Sequence, residues 1–159
     1  MAAVDPLDAR ILSLFAAEPR IGVLEASRRL GVARGTVQAR LDRLADRGVV
    51  RGWGPEVDPA ALGYPVTAFV TLEIRQGAHR QIEARLARVP EVLEGHTITG
   101  AGDMLVRVVA RTNADLQNVV DSVLSIDGVQ RSNTVIVLAT GVPHRVLPLV
   151  ATAAAGETP

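Results

Sequence analysis

The spacing of hydrophobic residues changes near residue 55, and this change limits the possible folds more than any other feature. Before that point apolar residues recur at helical spacing, which is typical of helices packed through one face. After it, runs rich in β-branched apolar residues read as strands separated by two further helical patterns. The sequence therefore predicts an α+β protein with a helical first domain, residues 1–54, and a second domain built on a sheet.

The first domain is expected to hold three helices, which cover residues 6–17, 23–30 and 34–47. In the third helix, Val37, Leu41 and Leu44 form one apolar stripe. Gly31 supplies a tight turn before that helix, because a residue without a Cβ readily adopts positive φ. Two helices joined by a short glycine turn, with a longer, arginine-rich second helix, predict a helix-turn-helix that reads DNA.

The third helix carries the candidate DNA-binding residues. Its N-terminal half is expected to enter the major groove, where Arg and Gln recognise guanine and adenine edges, and its later arginines suit phosphates. The predicted base-reading residues are Arg34, Gly35, Thr36, Gln38 and Ala39, and the predicted phosphate contacts are Arg40, Arg43 and Arg47. The competing interpretation is a solvated helix face, which Asp42 and Asp46 favour.

Charge is distributed unevenly along a chain that is neutral overall. Residues 1–54 have nine arginines and six acidic residues, whereas the remainder has eight arginines and eleven acidic residues. The neutral total argues against indiscriminate binding to polyanions, and the basic part coincides with the candidate DNA-binding helix.

The second domain is expected to span residues 66–150, after a hinge or linker at 55–65 that is marked by glycine and proline. Its pattern predicts strands over 66–74, 92–99, 104–110 and 129–138 and helices over 77–89 and 113–125. This βαββαβ order is that of the ferredoxin-like fold, an antiparallel sheet with two helices on one face.

The other face of that sheet is expected to meet a second subunit. Residues 104–110 are apolar at almost every position, which indicates burial on both faces. Beyond the last strand, residues 141–149 are expected to add an edge segment, and residues 151–159 are expected to form a disordered tail.

The chain resembles the Lrp/AsnC, or feast/famine, family of transcriptional regulators over about residues 5–150. The resemblance lies in the order of the segments RRLGVARGTVQARLDRLADRGVVRGW, VDPAALGY and TGAGDMLVRV. It implies a winged-type helix-turn-helix joined to a RAM-type βαββαβ domain that pairs protomers into dimers, often into tetramers or octamers. The sequence departs from the family pattern at Ala33, where a capping hydroxyl is usual, and at Gly54 and Pro55, where relatives continue a strand.

The same resemblance implies an effector that is an amino acid or a related metabolite, and it implies no cofactor. The implied effector-binding residues are Gly100, Ala101, Gly102, Asp103, Ser132, Asn133 and Thr134. Glycine amides approach a carboxylate closely, and Asp103 could hold an ammonium group. The competing interpretation of residues 100–103 is a plain hairpin in which the glycines adopt positive φ and Asp103 bonds its own backbone.

The sequence offers little for catalysis. The chain has no cysteine, and His79, His96 and His144 lack the spacing of metal ligands. It contains neither a nucleophile elbow nor a phosphate loop, so we do not expect an enzyme. Without a signal peptide core or a long apolar run, we expect a soluble, cytoplasmic protein. The alternative function is a small-molecule-sensing or oligomerising βαββαβ module whose helical domain binds a protein partner.

Overall fold

The computed structural model describes residues 4–156. Within them lie six helices and four strands: α1 (Pro6–Ala17), α2 (Val23–Leu30), α3 (Arg34–Asp46), β1 (Val66–Ile74), α4 (His79–Leu86), β2 (Val92–Thr97), β3 (Met104–Ala110), α5 (Asn113–Leu124), β4 (Val129–Ile136) and α6 (Leu147–Ala155). The described residues form two compact units, one containing residues 4–55 and 142–156, the other containing Glu56–Gly141.

The first unit contains the three helices that the sequence predicted. The Asp5 side chain caps α1 by accepting hydrogen bonds from the amides of Leu7 and Asp8, both at 2.9 Å, and the Asp8 carboxylate accepts one from the Asp5 amide at 3.1 Å. This reciprocal capping box satisfies amides that have no partner inside the helix. The core of the unit lies between α1, α2 and α3 and includes Ile11, Ala26, Leu30, Val37 and Leu41.

The C-terminal segment also belongs to this unit, which the sequence did not indicate. Residues 147–155 form α6, which packs against α1, so the predicted edge segment over 141–149 and disordered tail from 151 were wrong for the described residues. Alanine has the highest helix propensity, and a proline in the first helical turn costs no hydrogen bond. A segment rich in alanine is therefore able to fold as a helix once α1 offers a surface. Residues 157–159 lie outside the described residues.

The second unit confirms the βαββαβ prediction. Its four strands lie in the order β2-β3-β1-β4, and each neighbouring pair is antiparallel. β1 and β3 have the predicted bounds, whereas α4 is shorter than predicted and begins only after Gly77, whose φ is 82°. Because residues at positive φ leave the right-handed helical region, the helix starts beyond this glycine.

The sheet has one face covered by helices and one face that is partly exposed. Val70, Leu72, Val106 and Val108 alternate toward α4 and α5 and form the main core of the unit with them. On the opposite face, Phe69 of β1 is 37% exposed, and its register partner on β4, Val135, is 60% exposed. The structure thus leaves large apolar side chains open to solvent on the face where the sequence predicted a subunit contact.

Candidate DNA-binding helix and effector site

The helix-turn-helix is formed by α2, a short turn and α3. Gly31 ends α2 in the left-handed conformation, with φ 70°, as the sequence predicted. Ala33 precedes α3 without a side-chain hydrogen bond, so the expected loss of a capping hydroxyl is also confirmed. Val37, Leu41 and Leu44 are buried, which fixes the inner side of α3 and leaves its outer side to solvent.

The predicted base-reading residues lie on the exposed part of α3. Arg34, Gly35, Thr36, Gln38 and Ala39 are all exposed. The Gln38 amide nitrogen donates a 2.8 Å hydrogen bond to Asp42, one turn further along the helix. In the part of the chain that the structure describes, Arg34 and Arg47 form no ion pair. Both guanidinium groups are therefore available to a polyanion.

Arg40 and Arg43 occupy a different environment from the other arginines of α3. Arg40 donates to Asp5 and to Asp8, the latter at 2.9 Å, and Arg43 donates to both carboxylate oxygens of Asp8 at 2.9 and 3.0 Å. The Asp8 side chain is only 2% exposed, compared with 24% for Arg40 and 45% for Arg43. These bonds join α1 to α3.

Nothing in the sequence indicated these partners, because Asp8 lies 32 residues before Arg40 and 35 before Arg43. The spacing of Asp5, Pro6 and Asp8 is typical of a capping box, which could have indicated a structural role for Asp8 but not its arginine partners. The assignment of Arg40 and Arg43 to the DNA backbone stays a prediction, and their bonds to buried Asp8 weigh against it.

The contacts between Asp5 and Arg40 also shift the pKa values of both side chains. The hydrogen bond from Arg40 holds the pKa of the Asp5 carboxyl below its ordinary value, and bonds from backbone amides act in the same direction. The two aspartates in turn raise the pKa of the Arg40 guanidinium. Both shifts favour the charged forms, so the ion pairs persist throughout the neutral range.

The predicted effector loop lies against the end of β1. Gly100 adopts φ 110°, and a Cβ added to Gly102 would lie 2.4 Å from Thr71 Cγ2 and 3.1 Å from the Leu72 carbonyl oxygen. The Asp103 amide donates to Leu72 at 2.8 Å, while the Asp103 carboxylate accepts from the Ile74 amide at 2.8 Å. Glycine at position 102 is what allows this close approach.

The second group of predicted effector residues flanks β1 on its other side. Ser132, Asn133 and Thr134 of β4 pair in register with Leu72, Thr71 and Val70, respectively. Ser132 and Thr134 are half-buried, and Asn133 is exposed. The structure thus brings the loop and the beginning of β4 to the same end of the sheet, separated by the width of β1. The Asp103 carboxylate bonds the Ile74 amide of β1, 29 residues earlier, whereas the hairpin interpretation expected a bond to its own backbone.

Other features of the described residues do not involve the residues of these two sites. A surface depression of about 610 Å³ lies at the α1–α2 connection, and its lining, between Glu18 and Arg29, includes none of the predicted base-reading or effector residues. Three or more potential metal-binding side chains do not cluster anywhere in residues 4–156. No helix in the same range has the length and apolar character needed to cross a bilayer.

Comparisons with known proteins match both units. A family model for the Lrp/AsnC ligand binding domain matches residues 67–147, and one for winged helix-turn-helix DNA-binding matches residues 4–51. The chain is 32% identical over 135 residues to the HTH-type transcriptional regulator FL11 of Pyrococcus furiosus, covering 85% of this chain and 89% of that relative.

Two solved structures are similar over nearly the whole chain. Escherichia coli AsnC has a TM-score of 0.83 and 27% identity, with 91% of this chain and 99% of that chain covered. A transcriptional regulator from Neisseria meningitidis, solved as an L-methionine complex, has a TM-score of 0.78 and 28% identity, with 89% and 93% covered. The order of the two units along the chain is thus also found in solved proteins.

Proposed function

We propose that the chain, which belongs to the Lrp/AsnC family of transcriptional regulators, binds DNA through α3 as a dimer and that an amino acid effector controls this binding. It is a transcriptional regulator with a helix-turn-helix DNA-binding domain and a Lrp/AsnC ligand-binding domain. The observation that carries the proposal is that both domains occur in one chain, over residues 4–51 and 67–147. The proposal places the protein in the cytoplasm and includes no catalytic step and no cofactor.

The exposed N-terminal half of α3 supports the DNA-reading part. Arg34 and Gln38 are one turn apart and share a side of the helix, where they are able to contact the edges of neighbouring base pairs. Arg47 lies at the end of α3, exposed and without an ion pair among the described residues, which suits a phosphate. Gln38 must give up its hydrogen bond to Asp42 to contact a base edge, and only a base that bonds Gln38 in return offsets that loss. Binding to other sequences is therefore weaker.

The end of the sheet supports an amino acid as the effector. An α-amino acid presents a carboxylate and an ammonium group close together, so its site needs backbone amides and an acidic side chain. The loop at Gly100–Asp103 supplies both, and the Ser132 and Thr134 side chains lie across β1 from it. The Neisseria relative was solved with L-methionine, so L-methionine is the first compound to test.

The partly exposed sheet face supports the dimer. Phe69 and Val135 are register partners, and Arg107 lies opposite Phe69 on the neighbouring strand β3. A second copy of this face would remove the apolar rings and methyl groups from water, which provides about 25 cal/mol for each Å² buried. A dimer formed in this way carries two copies of α3, which would contact half-sites about one helical turn apart, or a multiple of it.

The test of the proposed function measures DNA and effector binding in the full chain. The protein first selects a duplex from a random pool, and fluorescence anisotropy then compares the selected duplex with a random one, with and without L-methionine. We expect Gln38→Ala to lose discrimination, by about 1–3 kcal/mol for each base contact removed. Failure of the wild type to bind any duplex at low salt overturns the DNA-reading role.

The effector role is tested by the melting temperature in the presence of L-methionine. Binding to the folded protein raises the melting temperature by mass action, and we expect Asp103→Asn to abolish this rise. The asparagine oxygen is still able to accept from the Ile74 amide, so the fold is retained. Asp127→Asn is the matched control, because Asp127 is exposed in the same unit and pairs only with surface groups. No rise in the wild type overturns L-methionine as the effector.

A further inference from the structure

Asp8 is the one buried ionisable residue among residues 4–156, at 1% relative exposure. Its two carboxylate oxygens accept four hydrogen bonds: one from the Asp5 amide at 3.1 Å, one from Arg40 at 2.9 Å, and two from Arg43 at 2.9 and 3.0 Å. A carboxylate removed from water is stable only when it has partners of this kind. The function described above assigns no role to this cluster.

The positive and negative charges of the cluster balance, and all four of its residues belong to the helical unit. Arg40 and Arg43 face Asp5 and Asp8, so two positive groups meet two negative groups. Three-quarters of the Arg40 side chain is covered, and its NH1 nitrogen donates to both aspartates. A phosphate would therefore have to compete with two carboxylates for Arg40, and one of them is buried.

The position of these arginines on α3 gives the cluster a consequence for DNA binding. Successive residues of an α-helix are about 100° apart around its axis. Arg34 and Gln38 are thus about 40° apart, whereas Arg40 and Arg43 lie about 200° and 140° from Gln38. The arginines that bind Asp8 therefore lie across the helix from Gln38 but beside Thr36, which is about 20° from Arg43 and about 40° from Arg40. The hydrogen bonds to Asp8 on that side fix the rotation of α3 about its own axis, and this rotation decides which side chains face the DNA major groove.

We infer that Asp8 is a positioning residue for DNA binding: it holds Arg40 and Arg43 against α1, which sets the rotation of α3 and withholds both cations from the DNA phosphates. This inference rests on the proposed reading role of α3. It differs from a purely stabilising ion pair, because it makes Asp8 control how many phosphates the protein neutralises and how well it discriminates between sequences.

The experiment measures the salt dependence of DNA binding in the full chain. Wild type and Asp8→Asn are titrated with NaCl against a random 30-base-pair duplex and against the duplex selected by the wild type. Each new phosphate contact steepens the logarithmic salt slope by about 0.9, or about 3.5-fold in affinity between 50 and 200 mM salt. We expect Asp8→Asn to steepen the slope on the random duplex by up to about 1.8, as two arginines are freed. The preference for the selected duplex should fall.

Two further variants keep the inference falsifiable if Asp8→Asn unfolds. Arg43→Gln alters a half-exposed side chain, and we expect it to leave the salt slope unchanged, because Arg43 does not contact phosphate. Asp46→Asn is the matched control: it removes the same charge from the exposed side of α3 but frees no arginine, so its slope should equal that of the wild type.

The results that overturn the inference are specific. One is an Asp8→Asn variant that binds both duplexes more weakly with an unchanged slope, which is the result for a purely stabilising role. The other is a slope that falls by about 0.9 in Arg43→Gln, since it shows that Arg43 contacts a phosphate. A wild type that binds neither duplex is a different outcome, because it contradicts the proposed function itself.

Discussion

Replacing Gly102 by alanine tests how closely the candidate effector loop packs against β1. The added Cβ would lie 2.4 Å from Thr71 Cγ2 and 3.1 Å from the Leu72 carbonyl oxygen. Carbon atoms in contact are normally about 3.5–4.0 Å apart, so either Thr71 or the loop must move by more than about 1 Å. The loop has little freedom to recede, because bonds of 2.8 Å hold Asp103 to Leu72 and to Ile74.

The expected cost follows from two opposing effects. Overpacking of this kind typically costs about 1–3 kcal/mol, and the loss of backbone freedom in the unfolded chain returns about 0.4–1 kcal/mol. We therefore expect Gly102→Ala to destabilise the second unit by about 1–2 kcal/mol, or roughly 5–30-fold in the opening equilibrium. Hydrogen exchange of the Ile74 amide measures this locally, since that amide bonds to Asp103.

Two companion variants isolate the cause. Thr71→Ser removes the methyl group that the new Cβ would meet, so the double variant should recover much of the lost protection. Gly95→Ala in β2 is the control, because a Cβ there has no atom within 4 Å and should cost little. If the Ile74 amide exchanges in Gly102→Ala at the wild-type rate, or if Thr71→Ser restores nothing, the steric explanation is refuted.

Three further predictions concern other parts of the molecule. Ile11→Ala removes a fully buried side chain and should lower the free energy of unfolding of the helical unit by about 2–5 kcal/mol. Urea titration measures this loss through the fluorescence of Trp53, whose ring packs edge-on against Phe15 with the centroids 5.7 Å apart. A loss below about 1 kcal/mol would contradict the prediction. Arg40 lowers the folded-state pKa of the Asp5 carboxyl, so the Asp5 carboxylate should contribute fully to stability above the ordinary aspartate pKa of about 3.9 and lose this contribution as the pH falls further. Asp5→Asn should therefore weaken the pH dependence of the free energy of unfolding in this acidic range. Phe69→Glu places a charge on the exposed sheet face and should convert the proposed dimer to a monomer in size-exclusion chromatography with light scattering. An unchanged mass would show that the interface does not include this face.

Much of the secondary structure was predictable because its signals are local. The spacing of Val37, Leu41 and Leu44 predicted a helix with one buried side, and all three are buried. The glycine at position 31 predicted a left-handed turn, and its φ is 70°. For β1 and β3, β-branched runs bounded by polar turns gave the strand ends correctly, since both signals lie within a few residues of each end.

The C-terminal helix shows where local signals are insufficient. Residues 147–155 combine high alanine content with a nearby proline and glycine, and such a segment is compatible with either helix or coil. A helix of nine residues is marginal in water, so the outcome depends on whether another surface is available. That surface is α1, which lies more than a hundred residues earlier in the chain.

The candidate sites also combine features that local sequence predicts with features that depend on tertiary packing. The sequence by itself determined which residues lie on the outer side of α3 and in what succession helices and strands follow along the second unit, because helical and strand periods are properties of neighbouring residues. Only the tertiary structure decided that Asp8 holds Arg40 and Arg43, and that Gly102 lies against Thr71. Contacts between residues far apart in the chain depend on how the elements pack, and no short stretch of sequence specifies that packing.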